Sequence, residues 1–281
     1  MPFRRLLSTL ALLLASATVN ADSLVLIHGY MSSAQTWHRS GIVSILRQNG
    51  WPLAGHFGPR GFQPFPHVEA NGNRVYTVDI PWAHPIEFQA DVLNGFLRQI
   101  AALHPAEKII LAGHSAGGIA GRAALIRDPI PQINALITIA SPHVGTPLAA
   151  KALKKTSGSG PFGVVKGLFG GNLYHTVRRS RGVLVDLLPP SRRNLLGWLN
   201  QQPHPAIHYF SVVRSNGDRV VPPFSGDMNQ VPVLAGRSYL ILSNSSHELS
   251  PTDGVIILDI LRQLALLNGE TGLQQALTGP T

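Results

Sequence analysis

The chain has 281 residues, carries a net charge of +9 and contains no cysteine, with 44% of its residues hydrophobic and 13% charged, against about 25% charged in an average domain. The missing cysteine excludes disulfides and thiolate metal sites in any compartment. The basic balance lacks a dense Lys/Arg run with interleaved aromatics, which argues against nucleic acid and for anionic interfaces such as phospholipid or lipopolysaccharide. The length fits one α/β domain better than two.

Arg4 and Arg5 precede an apolar stretch from Leu6 to Val19, and Val19-Asn20-Ala21 puts small residues where an export peptidase inspects. The stretch is short for a membrane span. The expectation is therefore a signal peptide over residues 1–21, cleaved after Ala21, and a periplasmic or secreted domain over 22–281. Loss of Arg4 and Arg5 would remove two of the positive charges.

Leu24 to Ile27 reads as the first buried strand and leads into His28-Gly29-Tyr30-Met31. Trp37 to Gln48 has helical spacing of Trp37, Ile42, Ile45 and Leu46. Trp51 to Pro66 is rich in Gly, Pro and Phe without a period and reads as a loop beside the cleft. Arg74 to Ile80 reads as a strand, and Ile86 to Leu103 as a helix with Phe88, Val92, Leu93, Phe96, Ile100 and Leu103 near a 3.6 period.

The apolar run Ile109-Ile110-Leu111-Ala112 then breaks into Gly113-His114-Ser115-Ala116-Gly117, the pattern G-x-S-x-G. The glycines permit a sharp strand-to-helix turn with Ser115 at its apex, and Ile119, Ala120, Ala123, Ala124 and Ile126 continue as a helix of small residues. Ser115 is thereby placed as a nucleophile. Ala135 to Ala140 and Ile207 to Val213 read as the next strands.

Between those two strands lies an irregular insertion, about residues 148–205, longer than an ordinary connection. It holds nine Lys or Arg between Lys151 and Arg193 against one acid, Asp186, with Phe162, Val164, Val165, Leu168 and Phe169 as apolar contacts. It reads as a lid that could lie on a lipid surface, or as a basic excursion that merely caps the fold.

A serine hydroxyl needs a base, and the base needs an orienting acid. Asp218 follows the strand Ile207 to Val213, and His247 follows a last strand, Ser238 to Leu242, so both sit at strand carboxyl ends where sites of open α/β sheets gather. Asp79 and, more weakly, Asp227 are rival acids. His28, His114 and His143 read as structural residues that order the loop after the first strand, pack behind the elbow and fix a turn.

The order Ser115, Asp218, His247, together with His28-Gly29 and Ser141-Pro142-His143-Val144-Gly145-Thr146-Pro147, resembles the α/β-hydrolase superfamily over nearly the whole chain, in its bacterial triacylglycerol lipase and esterase branch, related to membrane-lipid deacylases. The resemblance implies a mostly parallel central sheet with helices on both faces, an inserted lid, and a Ser-His-Asp ester hydrolase acting on acyl esters of lipids or other apolar alcohols. It also implies an oxyanion hole from the backbone N–H groups of Tyr30 and Ala116, with Met31 as the near alternative to Tyr30. It transfers no cofactor and no metal site, and leaves calcium open. Thioesterase or acyltransferase chemistry by the same triad, and a non-catalytic surface-binding role, stay open beside hydrolysis.

Overall fold

The computed structural model describes residues 21–66, 72–157 and 175–277. The expected export signal lies outside the described residues, as do 158–174 of the insertion with Phe162, Val164, Val165, Leu168 and Phe169. The strands are β1 (Asp22–Ile27), β2 (Leu53–Gly58), β3 (Gly61–Pro64), β4 (Arg74–Val78), β5 (Lys108–His114), β6 (Ile133–Ile139), β7 (His208–Arg214) and β8 (Ser238–Ser243). They form one sheet in the order β3-β2-β4-β1-β5-β6-β7-β8, parallel throughout except for the β2–β3 pair.

Consecutive apolar residues in the inner strands divide between two cores because side chains alternate across a sheet covered on both faces. Val25, Ile27, Ile109, Leu111, Leu136 and Tyr209 join one core, with residues of α3 (Ile86–Leu103) and α4 (Ala116–Arg127). Leu24, Leu26, Ile110, Ala112, Ile137, Phe210 and Val212 join the other. That second core is closed by α1 (Gln35–Arg39), α2 (Ile42–Gln48) and α10 (Pro251–Leu277), the helix that comes after the one-turn α9 (Pro223–Gly226).

Two sequence expectations need correction, and one helix lies where the sequence reading placed no element. Trp51 to Pro66 is not a loop but the β2–β3 hairpin, whose Phe57 and Phe62 rings stack with centroids 4.5 Å apart. Gly55 is what lets them do so, since a Cβ there would lie 2.4 Å from the Phe62 ring. The segment Trp37 to Gln48 is two helices broken at Gly41, which sits at φ 82°. And α10 follows the last strand, with Asp253 accepting from both the amide (2.9 Å) and the hydroxyl (3.2 Å) of Ser250 at its start. That Ser-x-x-Asp start and the apolar spacing of Ile257, Ile260, Leu261 and Leu264 are a legible helix signal.

The described parts of the insertion are α5 (Pro147–Ser157), α6 (175–179), α7 (Arg181–Asp186) and α8 (Leu195–Leu199). Val183, Leu184, Leu187, Leu196 and Leu199 are buried in the same core as α3 and α4, so this flank is built into the domain. Its Lys151, Lys154, Arg178, Arg179, Arg181, Arg192 and Arg193 are exposed. Asp186 accepts the amide of Ile86 at 2.8 Å and ties the insertion to the start of α3. No helix among the described residues is long and apolar enough to cross a membrane.

Candidate active site

Strand β5 ends at His114 and α4 begins at Ala116, so Ser115 alone makes the turn, with φ 51° and ψ −125°. A non-glycine residue in so sparsely populated a region costs roughly 1–3 kcal/mol, and surrounding contacts must hold it. Here the Ser115 amide donates to the Ile139 carbonyl at 2.9 Å. The neighbouring glycines are required by contact: a Cβ on Gly113 would lie 2.5 Å from the Gly118 Cα, and one on Gly117 2.2 Å from the His28 carbonyl oxygen.

The loops after β7 and β8 carry Asp218 and His247 to the same edge of the sheet. His247 Nε2 lies 3.1 Å from Ser115 Oγ, and His247 Nδ1 lies 2.9 Å from Asp218 Oδ2. An ionised Asp218 can only accept, so Nδ1 carries the proton and Nε2 is left with its lone pair toward Ser115. Asp218 Oδ1 accepts from the amides of Val220 (2.7 Å) and Val221 (2.9 Å). Burial works against the Asp218 charge, but the hydrogen bond from His247 and these two amides outweigh it and hold the carboxyl below its usual range.

Two groups to which the sequence assigns no role brace this arrangement. Thr146 of the Ser-Pro-His-x-Gly-Thr-Pro segment donates its hydroxyl to the Val220 carbonyl, and Ser225 donates to the Gly145 carbonyl at 2.6 Å, so that segment supports the Asp218 loop. Arg214, at the end of β7, forms a fully buried two-pronged pair with Asp253, at 2.6 and 2.9 Å. The same guanidinium donates to Ser243 Oγ (3.1 Å) and the Glu248 carbonyl (3.4 Å), which clamps both ends of the His247 loop. Nothing in local sequence pairs Arg214 with a residue 39 positions away.

The rival acids are engaged elsewhere. Asp79 accepts the Ala34 amide at 2.6 Å and lies 3.6 Å from His28 Nε2 and 3.5 Å from His56 Nε2, tying the loop after β1 to the end of β4. Asp227 accepts from the amide of Asn229 at 2.9 Å and caps a local turn. His28 donates from Nδ1 to the Gly29 carbonyl at 2.9 Å. His114 donates to the His247 carbonyl at 2.9 Å from behind the elbow. His143 accepts from Arg122 at 3.1 Å and bonds Thr138 Oγ1 at 3.0 Å, while its carbonyl accepts from Asn200 at 3.1 Å.

These buried histidines are held neutral. Burial pushes His114 down to about 3, with the neighbouring His247 adding to it; burial and Arg122 push His204 down to about 4 and His143 well below its usual value; burial and Arg74 take His104 to about 4. An unfolded chain then binds more protons than the native one between about pH 6.5 and 4, so stability present above pH 6.5 is lost as pH falls through that window. Each such group contributes at most about 1.4 kcal/mol per pH unit. Asp22 and Asp186, raised to about 6 chiefly by burial, act in the opposite direction but are fewer. The expected result is a melting temperature that drops steadily between pH 6.5 and 4.5; a flat profile would refute the neutral buried histidines.

Ser115 and His247 open on a cavity of about 690 Å³, whose wall includes Tyr30, Met31, Thr36 and Arg39. Met31 sits at φ 53°, so the loop after β1, like the elbow, is held in an unusual backbone state. The Tyr30 ring meets Trp82 edge-on at 5.5 Å, and its hydroxyl bonds Ser180 at 2.6 Å. On the Trp82 side of Tyr30 lies a second cavity of about 610 Å³, lined by Pro81, Trp82, Ala83, Pro85 and Gly182 together with His84 and Arg179. Among the described residues no three His, Cys, Asp or Glu side chains converge as a metal site would require.

A family profile described as the PGAP1-like alpha/beta domain matches residues 82–155, which include the elbow. A search of curated protein sequences gives no match. Among solved structures, the mature form of the Bacillus licheniformis lipase BlEst2 superposes with a TM-score of 0.53 at 18% identity, covering 88% of this chain and 93% of that one. A lipase-esterase related protein from Clostridium acetobutylicum gives 0.53 at 10% identity over 88% and 95%, and a thermophilic esterase from Thermogutta terrifontis 0.51 at 17% over 88% and 91%. At these identities the likeness is one of architecture.

Proposed function

From the α/β-hydrolase fold of this chain, we propose that it is a serine carboxylic-ester hydrolase of the lipase or esterase type, with Ser115 as nucleophile, His247 as general base and acid, and Asp218 as the group that orients His247. The observation that carries this reading is the unbroken chain from Ser115 Oγ through His247 to Asp218, with contacts of 3.1 and 2.9 Å and the serine at a strained turn.

Ser115 Oγ attacks the acyl carbonyl carbon while its proton passes to His247 Nε2, and the carbonyl π electrons move onto oxygen. The backbone N–H of Ala116, in the first turn of α4 and so without a helical acceptor, meets that negative charge. The second donor is the N–H of Tyr30, with Met31 as the alternative. The tetrahedral intermediate collapses, the alcohol leaves with the proton from His247, and water repeats the cycle on the acyl-enzyme. Each oxyanion donor contributes roughly 3 kcal/mol to the barrier reduction.

We assign the acyl chain to the Trp82-lined cavity beside Tyr30, whose wall is apolar apart from His84 and Arg179. Hydrolysis of p-nitrophenyl esters from acetyl to palmitoyl, with Ser115→Ala as control, tests the reading. Serine-dependent release supports it and its chain-length profile separates lipase from short-chain esterase; absence of release from folded protein at every length sinks it in favour of thioester, transfer or binding chemistry.

We place the protein outside the cytoplasm after cleavage at Ala21, a reading supported by β1 starting at Asp22, directly after the expected cut. We also assign the exposed basic residues of the insertion to contact with an anionic lipid surface, where each is worth about 1 kcal/mol. Replacing Lys151, Lys154 and Arg178 by Gln should then lower activity on phosphatidylglycerol vesicles by roughly a hundredfold while activity on p-nitrophenyl butyrate changes less than about twofold. Equal losses on both would make the insertion purely structural.

A further inference from the structure

Arg39 presents an exposed guanidinium on the wall of the cavity that holds Ser115 and His247, and this guanidinium has no ion pair or hydrogen-bond partner among the described residues. Several arginines of the fold are engaged with acids, Arg74 with Glu107, Arg98 with Asp128, Arg127 with Glu87 and Asp91, Arg214 with Asp253, while Arg47, Arg60 and Arg219 are, like Arg39, without an ion pair among the described residues; what sets Arg39 apart is its place on the cavity of Ser115. Around Arg39 the same wall offers hydroxyls. Ser32 and Thr36 bond each other at 2.5 Å, Ser40 donates to the Trp37 carbonyl at 3.1 Å, and the Ser33 hydroxyl has no partner among the described residues. The other charged residue on the cavity is Glu248, which makes no ion pair with Arg39 and directly follows His247 in the chain.

We infer that Arg39 and the neighbouring hydroxyls bind a phosphodiester carried on the alcohol side of the ester, which makes the preferred substrate a phospholipid-type acyl ester rather than an uncharged glyceride. The inference rests on the proposed ester hydrolysis and names its substrate class. A guanidinium presents two parallel N–H donors that match the two unesterified oxygens of a phosphodiester, and the Ser33 hydroxyl, whose proton is not committed to a described residue, adds a further donor. The cavity that holds Arg39 also holds Ser115, so a group bound there belongs to the molecule being cleaved. The Trp82 cavity beside Tyr30, whose wall is apolar apart from His84 and Arg179, is left for the acyl chain. Glu248 opposes an anion across the same space, so the two charges have opposite effects on an anionic substrate.

The test compares two substrates with identical ester bonds, monomeric dihexanoyl-phosphatidylglycerol and dihexanoylglycerol, through the ratio of their kcat/KM values. Arg39→Ala should lower the ratio of anionic to neutral by about tenfold, mostly through KM, and Arg39→Lys should retain part of it. Glu248→Gln should raise the ratio, an opposite sign that a merely structural role would not produce. An unchanged ratio in Arg39→Ala overturns the inference. Binding is read separately by calorimetry with Ser115→Ala, in which a further Arg39→Ala should weaken dihexanoyl-phosphatidylglycerol about tenfold. If the wild type cleaves neither ester while that binding difference holds, the hydrolase reading fails and the phosphodiester site stands; equal binding by both variants removes the site.

Discussion

Ser115→Ala is expected to lower kcat/KM for ester hydrolysis by about 10⁴-fold or more without unfolding the protein. The loss is large because the hydroxyl, the base and the acid act as one unit, so removing the nucleophile removes what His247 and Asp218 contribute as well. The fold should survive because alanine retains the small size the turn needs and the backbone amide at this position keeps its bond to Ile139. Asp218→Asn should be severe too, by up to about 10⁴-fold, since an amide that donates toward His247 stabilises the wrong tautomer. Asp79→Asn is the discriminating control. Its carboxylate holds the loop after β1 through Ala34 and does not touch His247, so it should cost far less than Asp218→Asn. A larger loss at Asp79 than at Asp218 would reverse the assignment of the acid.

The second large effect is one of stability. Asp253→Asn should destabilise the protein by about 3–5 kcal/mol, because it leaves the fully buried Arg214 charge without its counter-ion. At roughly 2–4 °C per kcal/mol this lowers the melting temperature by on the order of 10 °C. Replacing both partners, as Arg214→Met with Asp253→Leu, should recover much of that loss, since two buried charges are removed together. The double variant should still turn over slowly. A thioether in place of the Arg214 guanidinium cannot donate to Ser243 Oγ or the Glu248 carbonyl, so the loop that holds His247 loses its clamp. If the double variant were both stable and fully active, Arg214 would be a packing residue without influence on His247.

The strand-turn-helix around Ser115 is legible in the sequence because its constraints are local. An apolar run, two glycines forced by contacts of 2.5 and 2.2 Å, and a helix of small residues all lie within a few positions of each other. The helix Ile86–Leu103 is equally plain, since its 3.6 period is written in one continuous segment. The β2–β3 hairpin is not, because Gly- and Pro-rich sequence reads as loop, and only pairing with β4 and the stacking of Phe57 on Phe62 make it strand. Helix α10 stands between these cases: its signal lies in Ser250, Asp253 and the apolar spacing that follows, but the Gly254 beside that start weakens it.

Hydrophobic period, glycine sterics and chain order are enough to read the fold class, the turn that presents Ser115 and the order in which Ser115, Asp218 and His247 follow strand ends. Asp218 and Asp79 both stand after strands, and only the folded loops bring Asp218 to 2.9 Å from His247 while Asp79 meets Ala34, His28 and His56. Folding likewise brings Arg214 onto both ends of the His247 loop and Arg39 to the cavity of Ser115. Those relations join residues far apart in the chain, and the physics that makes them, burial of a charge pair in one case and an unpaired cation beside an open cavity in the other, exists only after the chain has folded.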